Sequence, residues 1–366
     1  MSASFLQPLV ERWRAAFGQY AALKQAAEAA VARTEWTSGS RYSHEPLYFR
    51  RYPGRGRILA GQPPYGGNLY GFDDQGRVRF ERLYCDADSY FEVFYTYVPD
   101  LIEGIRFTAF QPRLPIQVTR YHLEEGRVIL LEEFGVSIGP EIRAFTPDGV
   151  YDLTARYNGQ WRDRQAYVYE GDRLVSIRRE MEGRGLPRAT SQETMLYDAG
   201  GRLEQIVVAS PGQPPRTTYR RPRRGQTLAR LGAGLRRQLA GLIQDALRQA
   251  AIQEPVYCLA LSYREGDRII PPLLFVGRES YRQALLRQPT AEARFYLYPP
   301  LDTTAIVTVE IDDPALQEAG QVFEQLVMAA EKWEAAEQLL HDVAASLAGA
   351  GWQGIMPLTE DFIVFA

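Results

Sequence analysis

One short unit, recurring through the first half of the chain, constrains its fold more than any other feature: an aromatic residue, a turn of acidic residues and glycine, and an arginine leading into aliphatic residues. It reads GFDDQGRVRF at 71–80, YHLEEGRVIL at 121–130, FTPDGVYDL at 145–153, YEGDRLVSI at 169–177 and YDAGGRLEQI at 197–206. Tyr121, Phe145 and Tyr169 are spaced 24 residues apart, and Tyr197 follows 28 later. Glycine and aspartate tolerate the backbone of tight turns, so each unit predicts a β-hairpin whose aromatic ends one strand and whose arginine begins the next. A lone hairpin is marginal in water, so several must join in one antiparallel meander. Between about 46 and 220, runs rich in Tyr, Phe, Val, Ile and Arg alternate with Gly, Asp, Asn and Pro, as a β-module requires.

Before this module, Phe5, Leu9, Trp13, Phe17, Tyr20 and Leu23 recur every three or four residues and predict one long amphipathic helix lying across the sheet. Ser38, Gly39 and Ser40 break it. After the module, residues 211–227 hold four prolines and are read as a linker. Beyond it, Leu228, Leu231, Leu235, Leu239, Leu242, Ile243 and Leu247 form a helical stripe. The runs at 256–263, 293–300 and 304–311 read as strands. Asp313 as cap and Pro314 at the first position open a long helix with Leu316, Phe323, Leu326, Val327, Ala330, Trp333, Leu340 and Leu347 inward, ending at Gly349. A last strand follows. The predicted class is α+β: an N-terminal helix over 1–45, an antiparallel β-meander over 46–220, and a smaller α+β module over 221–366.

The run Tyr197-Asp198-Ala199-Gly200-Gly201-Arg202-Leu203 resembles the YD repeat of Rhs-type bacterial proteins. The copies here are few and irregularly spaced, unlike the long arrays that build shells, so the resemblance implies a small sheet. Residues 227–366, in their order of leading helix, YCLALSY strand and terminal long helix, resemble a family of small bacterial domains found beside polymorphic toxins and suspected to be immunity proteins. That resemblance implies a cytoplasmic protein that binds a basic partner such as a toxin domain.

Charge adds a candidate surface. The net charge is only −3, but residues 301–366 carry twelve acidic side chains against the single Lys332. Glu324, Glu331, Glu334, Glu337 and Asp342 are assigned to the outer face of the last helix and are the candidate partner-binding residues, since a one-signed field complements a basic partner. Glu11, Arg12 and Arg14 interrupt the apolar pattern of the N-terminus, so neither a signal peptide nor a membrane span is expected there and the expected location is cytoplasmic. Cys85 and Cys258 lie in separate apolar stretches and are read as small buried hydrophobes, not as a disulfide. Arg216, Arg220, Arg221, Arg223 and Arg224 beside Tyr219 could follow a phosphate backbone, but the prolines and the acidic balance favour a solvated linker, and nucleic acid is not an expected partner.

Motifs that would carry catalysis lack their contexts. Gly135-Val136-Ser137-Ile138-Gly139 fits the G-x-S-x-G elbow letter for letter, yet Pro140 and a strand-like run follow where that motif needs a helix, and a Ser-acid-His order would need the distant His341. His44, His122 and His341 are scattered, so neither metal nor cofactor is expected. The acidic pairs Asp73-Asp74 and Glu124-Glu125 fall in turns and Asp312-Asp313 caps a helix, which leaves Glu132-Glu133 without a local role. The glycines near 54 and 66 lack the lysine and helix of a phosphate loop, and those near 232 lack the strand of a dinucleotide site. The Tyr90–Tyr97 run is read as strand packing. The function expected is therefore a non-enzymatic binding protein, with a Ser137 hydrolase and a structural or dimerising protein as the alternatives.

Overall fold

The computed structural model describes residues 6–366 except 53, 64–65, 86–87, 110, 112, 137–159, 184–185, 263–268, 288–305, 310 and 312. The chain divides into two compact units: residues 1–51 with 56–218, and residues 52–55 with 219–366.

The first unit opens with helices α1 (Leu6–Ala15) and α2 (Tyr20–Ala29), followed by β1 (Arg33–Thr37), the single turn α3 (Tyr48–Arg51), and β2 (Ile58–Leu59). The meander then runs through β3 (Asn68–Phe72), β4 (Val78–Tyr84), β5 (Tyr90–Val98), β6 (Leu101–Phe107), β7 (Pro115–Glu124) and β8 (Arg127–Val136). It continues through β9 (Gln160–Glu170), β10 (Arg173–Gly183), β11 (Leu186–Tyr197), β12 (Leu203–Ala209) and β13 (Arg216–Arg220). From β3 onward each strand pairs with its chain neighbour; only at the far edge does the order turn back, as β3-β1-β2. The stretch read as a linker thus contains an edge strand. Pro214, Pro215 and Pro222 flank Arg216–Arg220 without entering it, and an edge strand needs partners on one side only.

The recurring unit has a structural cause. Asp73 Oδ1 accepts from the backbone N–H of Gln75 and Arg77 at 3.0 and 2.9 Å, and Gly76 takes φ +76°. Asp198 repeats the device on Arg202 N–H at 2.9 Å, with Gly201 at φ +75°. The residue after each turn arginine then receives a tyrosine hydroxyl from the following strand: Tyr97 on Val78 O at 2.8 Å, Tyr169 on Val128 O at 3.0 Å, Tyr197 on Leu174 O at 2.7 Å. The turn arginine lies against the same ring, with Arg77, Arg127 and Arg173 at 5.0, 5.5 and 5.9 Å from the centroids of Tyr97, Tyr169 and Tyr197. Arginine and tyrosine recur because three of the hairpins, those turning at Arg77, Arg127 and Arg173, are each clamped to the next strand by a cation–π contact and a carbonyl hydrogen bond. The copy at 145–153 lies outside the described residues.

One face of the sheet is apolar. Phe80, Phe94, Ile105, Val118 and Phe134 stand in cross-strand register from β4 to β8. Leu9, Trp13, Ala16 and Ala27 of α1, α2 and their junction close over them, and Trp13 Nε1 donates to Pro115 O at 2.7 Å. The single long helix expected here is two. Gly18, at φ +77°, ends the first, and the second restarts at Tyr20, whose hydroxyl reaches Glu92 at 2.7 Å.

The second unit contains α4 (Leu228–Gln249), β14 (Val256–Ser262), β15 (Leu273–Arg278), α5 (Glu279–Leu286), β16 (Ile306–Val309), α6 (Pro314–Ala330), α7 (Trp333–Ala348) and β17 (Leu358–Phe365). Its sheet runs β16-β15-β14-β17, with β14 and β17 parallel. The stripe Leu235, Leu239, Ile243 and Leu247 of α4 is fully buried with Leu316, Phe323, Val327, Trp333, Leu340 and Leu347. Asp313 caps α6 through Leu316 N–H at 2.6 Å. The long C-terminal helix expected from the sequence is also two, because Glu331 adopts φ +52° and redirects the chain so that Val327 and Trp333 reach one core. Among the described residues no helix is long and apolar enough to cross a membrane. The fold is α+β, an antiparallel meander with N-terminal helices and a small mixed sheet.

Candidate functional site

Successive residues of a strand face opposite ways, so the residues between the apolar positions form a second face. That face is polar. Across β5 to β9 one row reads Tyr95, Gly104, Thr119, Glu133, Asp163, and a neighbouring row from β4 to β7 reads Glu81, Val93, Arg106, Gln117. The segment joining β1 to β2 lies on it. Its Arg41 backbone N–H donates to Tyr70 at 3.2 Å, and the His44 ring stacks on Tyr95, Tyr97 and Tyr121 with centroids 4.8, 5.7 and 5.1 Å away. Arg51 then reaches β9 and β11: Glu193 takes a fork of hydrogen bonds at 2.8 and 2.9 Å, Gln165 one at 2.8 Å and Glu45 one at 2.7 Å.

Between this segment and the strands lies a cavity of about 170 Å³, walled by Ser40, Glu81, Leu83, Val93, Tyr95, Arg106, Gln117, Thr119, Tyr121 and Glu133, with Gly104 among them. A Cβ on Gly104 would come within 3.0 Å of the Tyr95 ring, so glycine is what lets that ring settle there. Two carboxyls line the space. Glu81 accepts from the Tyr70 hydroxyl at 2.6 Å and Asn68 Nδ2 at 2.7 Å; Glu133 accepts from Thr119 Oγ1 at 2.8 Å and from Gln117 Nε2.

Burial holds the Glu81 carboxyl above its ordinary range, against the pull of its hydrogen bonds and Arg106. Glu133 is pushed up to about 7, first by burial and then by the negative charges of Asp163 and Glu45, and its hydrogen bonds only partly offset this. Glu45 is also raised by burial despite Arg51, and His44 is lowered to about 4 by burial. Elsewhere on this face acids meet guanidiniums: Arg179 forks onto Asp163 at 2.6–3.0 Å, and Arg51 holds Glu193 and Glu45. Among the described residues Glu133 has only neutral donors, Thr119 and Gln117.

The residues singled out in the sequence are dispersed. Glu132 and Glu133 do not form a pair: Glu132 faces the opposite side, 3.0 Å from His122 Nε2 and 3.6 Å from Arg164. Ser137 lies outside the described residues, just past β8; before it, Gly135 sits under the Trp161 indole, where a Cβ would meet the ring at 2.5 Å. His341 is exposed on α7 in the other unit. Cys85 is exposed at the end of β4, not buried, because the chain turns to the surface there, with its N–H on Ser89 O at 2.7 Å. Cys258 is buried, and burial raises its thiol to about 11.

The acidic outer face is smaller than expected. Glu324 is 1% exposed and accepts from the backbone N–H groups of Ile269 and Ile270 at 2.7 and 2.9 Å, so it ties a loop to α6 and faces no solvent. Asp342 pairs with Arg236 at 3.3 Å, Glu318 with Arg220 at 3.4 Å and Asp361 with Arg282 at 2.6 Å. Arginines from earlier in the chain thus balance part of the acidic terminus. Glu331 and Glu334 are exposed and Glu337 partly so at the corner between α6 and α7.

The polar cavity had one sequence signal, the adjacent glutamates of β8 that no turn or cap explained. A scan against protein-family models matches none to this chain, and a search of curated proteins likewise returns no match.

Proposed function

We propose that this chain is a binding protein whose ligand site is the polar cavity of the first unit. One observation carries the reading: charged side chains from β4, β6 and β8 converge on one space, and at least one of them, Glu133, forms no ion pair among the described residues. Burying a carboxyl in this way costs stability unless something compensates it. A sheet selected for stability alone would fill these positions with apolar residues. The test is a thermal-shift screen of small polar molecules against the wild type and Val93→Phe, which places a larger side chain in the cavity wall. A compound that raises the melting temperature of the wild type but not of the filled variant supports the reading; stabilisation equal in both overturns it for that compound.

A second reading keeps the immunity-type expectation for the second unit. Its support is the exposed Glu331 and Glu334 beside Glu337 at a helix corner, which suit a basic protein partner such as a toxin domain. Reversing the three charges to lysine should abolish a partner captured at low salt. A partner retained by the reversed protein, with unchanged salt dependence, overturns it.

A further inference from the structure

We propose that the cavity takes a small amino-carboxylate, one ammonium and one carboxylate joined by a short chain. The proposal rests on the reading of the cavity as a ligand site and names its ligand class. Three features of the wall support it.

The first is Arg106. Its guanidinium lies over the Phe91 ring, 4.8 Å from the centroid, and its Nε is buried without a hydrogen-bond partner among the described residues. The other guanidiniums of this face are engaged, Arg51 and Arg179 on carboxylates and Arg41 on Gly56 O at 2.8 Å. Arginine is the side chain best matched to a carboxylate, by its paired N–H groups and permanent charge. The second is Glu133, an acceptor served among the described residues only by Thr119 and Gln117, while the charges acting on it most, Asp163 and Glu45, are negative. An ammonium group brings the missing positive charge and three donors.

The third is spacing and size. Arg106 stands on β6 and Glu133 on β8, two strands apart, roughly 10 Å in the hydrogen-bonding direction. Both are long side chains on one face and both line the cavity, with the Tyr95 ring settled over Gly104 in the wall. A cavity of about 170 Å³ is near the size of one that holds benzene, so about six to eight non-hydrogen atoms fit. A plain amine would give the Arg106 Nε no acceptor, its charge being felt by Glu81 alone of the two carboxyls in the wall, and a plain carboxylate would leave Glu133 served by neutral donors. A zwitterion answers both and adds no net charge to a buried site.

Binding should draw Glu133 into its ionised form. The groups around it are Glu45 and Arg51 from the covering segment, Tyr95 on β5, Arg106 on β6, Tyr121 on β7, and Asp163 and Arg179 on β9 and β10, with Glu81 on β4 across the cavity. Affinity is therefore expected to rise about tenfold from pH 6 to pH 8, as a carboxyl with a midpoint near 7 loses its proton.

The experiment is calorimetric titration of the full chain at pH 8 with glycine, β-alanine and 4-aminobutyrate, using propylamine and propionate as single-charge controls. At least one amino-carboxylate should bind tenfold or more tighter than both controls, and Arg106→Met and Glu133→Gln should each remove that advantage. Glu133→Gln is expected to be more stable than the wild type at this pH, so its loss of binding would not reflect unfolding. A control that binds as tightly as the best amino-carboxylate overturns the ligand class, as does a preference that survives both substitutions. If the screen with Val93→Phe finds a cavity ligand of another chemistry, only the ligand class fails. If no probe and no screened compound distinguishes wild type from the filled variant, the ligand-site reading fails with it.

Discussion

The two faces of the thirteen-stranded sheet are drawn from the same strands, one residue apart, and they are built to opposite rules. Under α1 and α2, Phe80, Phe94, Ile105, Val118 and Phe134 meet Leu9 and Trp13 in a largely apolar core, where the buried Glu92 is paired with Arg82 and takes the Tyr20 hydroxyl. Under the segment that joins β1 to β2, Glu81, Arg106, Glu133, Asp163 and Glu193 meet His44, Glu45 and Arg51. The first face accounts for stability through buried area. The second takes ionisable groups out of water and satisfies most of them, which contributes little net stability and much specificity of arrangement. A sheet that can afford such a face on one side must be held together by the other.

That contrast can be broken at several points. Trp13→Ala should cost about 4 kcal/mol in urea unfolding, with little pH dependence, since it removes a packed indole from the apolar face. Arg51→Met should cost about 3 kcal/mol at pH 8 by leaving Glu193 and Glu45 without their cation. That loss should shrink at pH 4, where carboxyls can take up a proton; an equal loss at both pH values would mean that Arg51 acts by packing alone.

Glu133→Gln should go the other way. The folded carboxyl keeps its proton up to about 7 and the unfolded one only to about 4.5. Its contribution to stability is therefore full at low pH and is lost as pH rises through 7. The variant should gain about 2 kcal/mol over wild type at pH 8 and nothing at pH 4. His44 has the opposite sign: lowered to about 4, it stays neutral in the fold while the unfolded ring takes a proton below about 6.5. Its contribution is present above that pH and lost as pH falls toward 4, so His44→Phe should flatten the acid limb of the stability profile by about 2 kcal/mol. Smallest of all, Tyr197→Phe should cost about 1 kcal/mol, one hydrogen bond to Leu174 O.

How much of this was legible depended on range. Hairpins are local, and the turn residues Asp73, Gly76, Asp198 and Gly201 announce them. The stripe of α4 and the Asp313-Pro314 start of α6 are local too. The break at Gly18 was readable from a glycine within a helical pattern; the break at Glu331 was not, because a glutamate in the left-handed region carries no signal of its own. The covered polar face was hidden for a different reason. Alternating polar residues look the same whether they meet water or a returning segment, and nothing in residues 41–51 states that Arg51 will meet Glu193, 142 positions away. Glu324 was misplaced likewise: helical periodicity cannot reveal that the backbone of Ile269 and Ile270 needs an acceptor.

The arginine–tyrosine clamp of the hairpins carries a consequence for how this unit comes apart and how it arose. Each clamp couples one hairpin to its immediate successor, so the energetics of the sheet are close to those of a one-dimensional array with nearest-neighbour couplings. Opening should begin at an edge and advance hairpin by hairpin, giving amide exchange protection that falls from β7 toward β13. The same locality means that a duplicated hairpin arrives with both halves of its own fastening, the arginine for the next tyrosine and the tyrosine for the previous arginine. A sheet of this kind can grow in length by copying, with no change demanded of the strands already present.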